Sequence, residues 1–153
     1  MRKQLLAFDE KIIAISRQLF VPLARIAFFV VFFYFGFLKV IDVSPASPLA
    51  EALVGRTIGL EYFDVLYLML ALIECVIGVL FLIPKATRVV IPLLFFHLLI
   101  VCSPILLVPD MAWASWFVPS LEGQYIIKNI VLVAAAIGVA SYTSTLSSKK
   151  TLK

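Results

Sequence analysis

The sequence predicts an all-α fold, namely an integral membrane four-helix bundle with an N-terminal amphipathic helix at the membrane interface. The first observation is composition, since 63% of the 153 residues are hydrophobic and only 14% are charged. A soluble domain is about half apolar and about one quarter charged, so the surplus apolar side chains need lipid or a very large partner surface. The second observation is four long apolar segments, and the third is an uneven distribution of Lys and Arg between them.

The four segments match the length of about 20 apolar residues that a spanning helix needs. They lack the two-residue alternation that strands of a closed membrane barrel require. We therefore predict one membrane domain over residues 21–144 and a cytoplasmic tail over 145–153. The spanning helices are predicted at residues 21–41, 62–83, 88–108 and 125–144.

Residues 1–20 carry charge in every turn and form a different kind of helix. Apolar side chains recur there at helical spacing, at Leu5, Phe8, Ile12, Ile15 and Leu19. Polar and charged residues fall on the opposite side, which is typical of a helix that lies on a membrane surface. Pro22 is favourable in the first turn of the spanning helix that follows.

The short connecting segments predict the orientation of the chain. Nine Lys and Arg residues fall in the N-terminal segment, in the loop between the second and third helices, and in the tail. The two opposite loops hold only Arg56. Because cytoplasmic loops carry the excess of Lys and Arg, both termini are predicted to be cytoplasmic in a multi-pass membrane protein. These residues also account for the net charge of +4, so no nucleic-acid partner is expected.

The two loops on the other side carry their own signals. Ser47 followed by Pro48 resembles a helix cap and first turn, which predicts a short surface helix over 48–54. Trp113 and Trp116 in the second loop are predicted to anchor it at headgroup depth. The alternative is a lid over a ligand site.

Three ionisable residues interrupt the spanning helices. Glu74 and His97 each lie nine residues from the inner end of their helix, which corresponds to roughly 13 Å at about 1.5 Å per residue. They should share one depth near the centre of the membrane, and Arg25 in the first helix can extend towards it. A charge that faces lipid at that depth is costly. We therefore predict an Arg25–Glu74 ion pair inside the bundle, with His97 as hydrogen-bond donor or proton acceptor.

Two interpretations of these three residues are open. They form a proton-handling site, or the polar end of a ligand cavity, in which Glu74, His97 and Arg25 are the candidate catalytic residues. Alternatively, they form an interhelical polar contact that sets the helix register. Arg25 can also extend to the cytoplasmic headgroups instead of reaching Glu74.

A second polar layer is predicted near the outer face. Its members are Lys39 at the end of the first helix, Asp64 near the start of the second, and Lys128 and Asn129 in the first turns of the fourth. Two lysines around a cavity would attract an anionic or quinone-like head group. The alternative is that both lysines extend to the membrane surface and pair with Asp64 or Glu122.

The sequence favours neither a metal centre nor a disulfide. Cys75 and Cys102 lie in different apolar segments and form no CxxC pair, so we expect two buried thiols. One histidine is too few for bis-histidine haem ligation, and no Cys, His and Asp residues have metal-site spacing. No glycine-rich nucleotide fingerprint occurs.

Several short motifs resemble those of DoxX-type membrane proteins. The first span contains the residues RIAFFVVFFYFGFLKV, and the second continues as LIECVIGVLFLIPKATR. The segments SPLAEAL and EGQYIIKNIVLVAAA are similar to a neighbouring branch, the reactive-chlorine-resistance membrane proteins. The matching positions are Arg25, Gly36, Lys39, Glu74, Gly78, Arg88, Gln124, Lys128 and Asn129.

The resemblance implies a four-helix protein of the bacterial or archaeal cytoplasmic membrane that supports redox or oxidative-stress chemistry. It implies a quinone as the ligand inside the bundle, and other membrane redox subunits or further copies of the chain as partners. The chain has no redox-cofactor motif, so we expect an oxidoreductase subunit rather than a stand-alone enzyme. The alternatives are a small transporter or proton pathway that uses Glu74 and His97, and an accessory scaffold subunit.

Overall fold

The structure is a computed structural model and describes residues 2–143. Four helical rods in it are long and apolar enough to cross a membrane. We call them rod 1 to rod 4, and they cover Arg2–Val40, Leu60–Leu82, Pro84–Leu107 and Leu121–Ser141. They confirm the predicted all-α bundle of four apolar helices. The predicted tail at 145–153 lies outside the described residues.

Rod 1 is built from helix α1 (Arg2–Phe29), a π-helical turn (Val30–Tyr34) and helix α2 (Phe35–Val40). Helix α1 continues through the boundary predicted between residues 20 and 21, with Pro22 inside it. All residues from 2 to 20 are exposed, so this half of α1 extends beyond the bundle. The 39 residues of rod 1 would measure roughly 58 Å at 1.5 Å per residue, about twice the thickness of a membrane core. A separate interfacial helix is therefore not formed here, and a position on a membrane surface stays a prediction.

Rods 2 and 3 form an antiparallel helical hairpin. Helix α4 (Phe63–Leu82) follows a 3₁₀ turn at Leu60–Tyr62, and a second 3₁₀ turn at Pro84–Ala86 leads into helix α5 (Thr87–Cys102). Helix α6 (Pro104–Leu107) ends rod 3. Because Pro104 has no N–H to donate, the helix is interrupted at Ser103, whose hydroxyl donates to the Ile100 carbonyl at 2.8 Å.

Rod 4 consists of helix α8 (Leu121–Ile127) and helix α9 (Asn129–Ser141). It begins earlier than the predicted residue 125 because Ser120 caps it, its side-chain oxygen accepting from the Gly123 N–H at 3.0 Å. Rod 4 packs on rods 1 and 3, which closes the bundle. The fully buried core side chains come from all four rods and include Phe28, Ile77, Phe81, Leu94 and Val139.

Rods 1 and 2 approach each other most closely, at two glycines. A Cβ atom on Gly36 would lie 2.8 Å from the Cβ of Glu74 and 2.9 Å from the Ala71 carbonyl oxygen. A Cβ atom on Gly78 would lie 2.6 Å from the backbone nitrogen of Phe33. Small residues at Gly36, Ala71 and Gly78 therefore permit the close approach of the two helices.

The connections at the other end of the bundle contain short elements. Helix α3 (Ser47–Thr57) confirms the surface helix predicted over 48–54, although Ala46 rather than Ser47 occupies the N-cap. Helix α7 (Pro109–Ala112) precedes a small antiparallel hairpin of strands β1 (Trp113–Ser115) and β2 (Val118–Pro119), which the sequence did not predict. An ion pair connects α3 to α7, since the Arg56 guanidinium nitrogen Nη2 lies 2.7 Å from Asp110 Oδ1.

The two tryptophans of the hairpin have different surroundings. Trp113 is partly buried and donates its indole N–H to the Ile105 carbonyl at 3.0 Å. Trp116 is 88% exposed at the hairpin tip. The predicted anchoring at headgroup depth and the alternative lid both stay predictions.

The two ends of the bundle are named here by their connections. The turn end is formed by Val21, the Pro84–Ala86 turn and Tyr142, and the loop end is formed by Val40, helix α3 and the β1–β2 hairpin. Most of the surface between the two ends is apolar. In the most apolar 18-residue stretch of each rod, no more than 33% of the residues are buried inside the bundle.

We predict that Gly78→Ala destabilises the fold by about 1–3 kcal/mol, because the added methyl group forces rods 1 and 2 apart against backbone atoms. Thermal or chemical unfolding of the purified protein measures the loss. Gly55→Ala in α3 is the matched control. Its Cβ would meet only the flexible end of Leu60, at 3.0 Å, and alanine gains about 1 kcal/mol in helix propensity. Equal stability of Gly78→Ala and the wild type would contradict the close contact.

Candidate functional site

The candidate site surrounds the carboxylate of Glu74, in the middle of helix α4. Glu74 is 6% exposed and lies on the face of α4 that also carries Tyr67, Ala71 and Gly78, each of which is buried. This face packs against rod 1, where Gly36 lies level with Glu74. A carboxylate in such apolar surroundings is costly unless both of its oxygens have partners.

Lys39 is the first partner of Glu74. Its ammonium nitrogen lies 2.5 Å from Glu74 Oε2, and both side chains are 8% exposed. Helical side chains point towards the N-terminus of their helix. The Lys39 side chain therefore extends back along α2 towards the level of Gly36, and in the antiparallel α4 the Glu74 side chain extends towards the loop end. The two side chains meet between the rods.

His97 of helix α5 is the second partner. Its Nε2 atom lies 3.4 Å from Glu74 Oε1, and the side chain is 2% exposed. The predicted common depth of Glu74 and His97 is thus confirmed. The imidazole and the Phe32 ring pack in a T-shaped arrangement, with 5.6 Å between ring centroids. Within residues 2–143, its Nδ1 atom is buried and has no hydrogen-bond partner.

The predicted Arg25–Glu74 ion pair is wrong. The Arg25 guanidinium donates instead to the Phe81 carbonyl at 2.9 Å and to the Thr87 hydroxyl oxygen at 2.6 Å. Arg25 precedes Gly36 by eleven residues, which places it roughly 16 Å along rod 1 at about 1.5 Å per residue. Its side chain also points towards the turn end, away from Glu74. Arg25 therefore belongs to a second, separate polar group.

The predicted outer layer is not assembled as one site. Asp64 and Lys128 are exposed, and the Lys128 ammonium lies over the Tyr125 ring at 5.1 Å from its centroid. The Asn129 amide donates to Cys102 Sγ at 3.7 Å. In the described part of the chain, no hydrogen bond or ion pair joins any two of Lys39, Asp64, Lys128 and Asn129.

The sulfur atoms and the remaining polar groups have simple contacts. Both cysteines are free thiols, and Cys75 Sγ lies 3.8 Å from the Phe33 carbonyl oxygen. Among residues 2–143, no three His, Cys, Asp or Glu side chains converge on one point, so the described residues offer no metal-ligand set. The Tyr67 hydroxyl is a further buried polar atom that has no hydrogen-bond partner in that range.

Two features of the site were missed at the level of sequence. Thr87, the partner of Arg25, was not singled out, although a Thr at a helix start signals a local hydrogen bond. Its hydroxyl donates to the Pro84 carbonyl at 2.7 Å. Tyr67 was also missed, although its seven-residue separation from Glu74 places both on one helix face.

No protein-family model, no curated protein and no solved structure matches this chain. Its chemistry is therefore inferred from the site itself. With Lys39 charged, Glu74 charged and His97 neutral, the trio has no net charge. A neutral imidazole that donates from Nε2 to Glu74 keeps Nδ1 as a proton acceptor. The trio can then take up one proton beside a carboxylate that stabilises the resulting imidazolium.

We predict that Lys39→Met destabilises the fold by about 3–5 kcal/mol, because it leaves the Glu74 carboxylate buried without its cationic partner. The double variant Lys39→Met/Glu74→Gln should recover most of this loss, and unfolding of the four proteins of the double-mutant cycle measures the coupling. Arg56→Gln, which removes the exposed pair with Asp110, should cost less than about 1 kcal/mol. Additive effects of the two single substitutions at 39 and 74 would exclude a direct ion pair.

Proposed function

We propose that this chain is an integral membrane protein of the cytoplasmic membrane whose Lys39–Glu74–His97 trio exchanges protons inside the bundle. The observation that carries the proposal is the engagement of both Glu74 oxygens by titratable side chains from two other rods. Insertion in the membrane is supported by the apolar surface of the four rods, since large apolar side chains such as Leu99 and Leu106 are 73% and 80% exposed.

The proposed orientation places the turn end in the cytoplasm. Val21 and the Pro84–Ala86 turn lie at this end, so the two described segments that carry six of the nine Lys and Arg residues adjoin it. The loop end carries Arg56 together with the acidic residues Glu51, Glu61 and Asp110. This distribution follows the excess of positive charge on the cytoplasmic side of membrane proteins.

Proton exchange follows from the charges and burial of the trio. The ion pair of Lys39 and Glu74 is neutral overall, so it avoids the larger cost of burying a single unpaired charge. A proton on His97 adds one positive charge, which the adjacent Glu74 carboxylate stabilises. A neutral imidazole can accept a proton at one ring nitrogen while it donates from the other, and His97 Nδ1 has no hydrogen-bond partner within residues 2–143, so His97 is the member proposed to gain and release the proton. The group therefore suits a small transporter or a proton pathway.

Support of membrane redox chemistry is a second proposal, and it rests on the DoxX-type resemblance. The observation that favours it is that four motif residues meet at the contact of rods 1 and 2. Gly36 and Gly78 allow the close approach, and Lys39 and Glu74 form the ion pair within it. A quinone head group would have to accept from Lys39 or His97 in place of Glu74. Titration of the purified protein with menaquinone or ubiquinone analogues tests this, and absence of binding would remove the quinone.

We predict that both termini of the protein lie on the cytoplasmic side. A reporter that is active only outside the cytoplasm should be inactive when fused after Lys153 and active when fused after Asp110, because four spans separate the termini and three precede residue 110. A fluorescent reporter that folds only in the cytoplasm serves as the reciprocal control. Activity of the first reporter after Lys153 would contradict the orientation.

We predict that Glu74→Gln slows proton movement through the protein by at least about tenfold, because the imidazolium of His97 loses its stabilising carboxylate. Proteoliposomes with a trapped pH-sensitive dye and an imposed pH gradient measure the rate. Glu51→Gln, an identical chemical change at an exposed position of α3, should keep the wild-type rate. Equal rates for Glu74→Gln and wild type would exclude proton exchange. Lower stability without a change in rate would indicate the alternative role, an interhelical contact in a scaffold subunit.

A further inference from the structure

A cavity of about 660 Å³ opens at the turn end of the bundle, remote from Glu74. It is bordered by α1, by the turn between rods 2 and 3, and by the end of rod 4. Its walls include Pro22, Arg25, Lys85, Thr87, Arg88 and Tyr142. The volume is within the range of about 300–1,000 Å³ that is usual for small-molecule sites.

The charge of the cavity wall has one sign. Arg25, Lys85 and Arg88 line it, and none of its lining residues is acidic. Arg25 is half-buried, and within residues 2–143 its guanidinium forms no ion pair with a carboxylate. A positive charge that is partly removed from water is stabilised by a counter-ion. An anionic group from outside the described chain would therefore bind favourably beside Arg25.

The Arg25 side chain is held in a fixed position. Its two hydrogen bonds, to the Phe81 carbonyl and the Thr87 hydroxyl, tie rod 1 to the end of α4 and the start of α5. Two of its five N–H donors are used in this way, and among the described residues the others have no hydrogen-bond partner, which leaves them for a ligand. Helix α5 begins at Thr87 in the same wall, and the N-terminal end of a helix also favours negative charge.

The surroundings of the cavity are apolar and exposed. Leu23 and Ile26 on α1 are 57% and 52% exposed, and Leu82 and Ile83 beside the turn are each 45% exposed. A ligand with an anionic head and hydrocarbon chains would place the head among the cations and the chains along these side chains. A free phosphate ion would use the first set of contacts only.

We propose that this cavity binds the phosphate group of an anionic membrane lipid. The lipid phosphate accepts hydrogen bonds from Arg25 and Lys85, Arg88 adds positive charge at the rim, and the acyl chains pack on rods 1 and 2. Basic pockets between membrane helices on the cytoplasmic side bind such headgroups. The proposal rests on membrane insertion, but it does not depend on proton exchange at Glu74.

Native mass spectrometry of the full chain tests the proposal, with phosphatidylglycerol as the anionic probe and phosphatidylcholine as the zwitterionic one. The wild type should retain phosphatidylglycerol and lose phosphatidylcholine. Lys85→Gln/Arg88→Gln should weaken phosphatidylglycerol binding by at least about tenfold, because two cations near the headgroup are removed. Both side chains are exposed, so the fold should persist, and Arg25→Gln should act in the same direction.

Lys3→Gln/Lys11→Gln is the matched control, since it removes two charges from the exposed half of α1 outside the cavity. It should bind phosphatidylglycerol as the wild type does, and so should Glu74→Gln, which separates this proposal from proton exchange. Equal retention of the two lipids, or unchanged binding in Lys85→Gln/Arg88→Gln, would overturn the proposal. Thermal stabilisation by inorganic phosphate as large as that by phosphatidylglycerol would overturn the assignment to a lipid.

Discussion

The carboxylate of Glu74 lies inside a bundle whose walls are nearly all hydrocarbon, and the arrangement of the rods provides its partners. Lys39 from rod 1 and His97 from rod 3 each take one of its oxygens. These contacts require the backbone of rod 1 to lie against α4, which the missing side chains of Gly36 and Gly78 allow. The Coulomb attraction of an ion pair in such an interior offsets the cost of desolvation only when the geometry is good and the remaining polar atoms are hydrogen-bonded. The contact of three rods is thus built around one acidic side chain.

The π-helical turn at Val30–Tyr34 belongs to the same arrangement. It lies between the buried part of α1 and the short α2, immediately before Gly36 and Lys39. A π-helical turn accommodates one extra residue, which rotates the following segment relative to a regular helix, and such turns are frequent at functional sites. Here the buried face continues from Phe28 and Phe32 to Gly36, with Lys39 one turn further along. The local irregularity of rod 1 therefore keeps Lys39 on the face that meets Glu74.

Two polar groups lie at different positions along the bundle, and the two proposals rest on them separately. The trio around Glu74 is enclosed by the rods and is neutral when His97 is neutral, which suits the exchange of a single proton. The group around Arg25 lies roughly 16 Å away along rod 1, at about 1.5 Å per residue, and faces a cavity with three cations in its wall. The first group satisfies its charges within the chain, whereas Arg25 in the second group forms no ion pair with a carboxylate within residues 2–143. A difference of this kind favours internal chemistry at one site and capture of an anionic partner at the other.

The number of apolar helices and the pairing of Glu74 with His97 were predictable, because residue spacing along antiparallel helices of known rise fixes the relative depth of two positions. The partner of Glu74 was not predictable in the same way. Along rod 1, Arg25 and Lys39 lie on opposite sides of the level of Glu74. A count of residues from the predicted helix ends favoured Arg25 as the partner, whereas Lys39 is the partner in the structure. The direction of helical side chains towards the N-terminus brings Lys39 to Glu74 and turns Arg25 away from it.

The amino-acid sequence by itself determined the number of apolar helices and the surface helix at 48–54. These features follow from the local amino-acid composition and from the periodic spacing of apolar residues, which are properties of a few turns of chain. Only the tertiary structure decided the continuity of α1 past residue 20, the β1–β2 hairpin, the Lys39–Glu74 pair and the basic cavity at the turn end. Each of these depends on the rotation and approach of whole helices, because a side chain contacts whichever neighbour the packed backbones bring within a few ångströms.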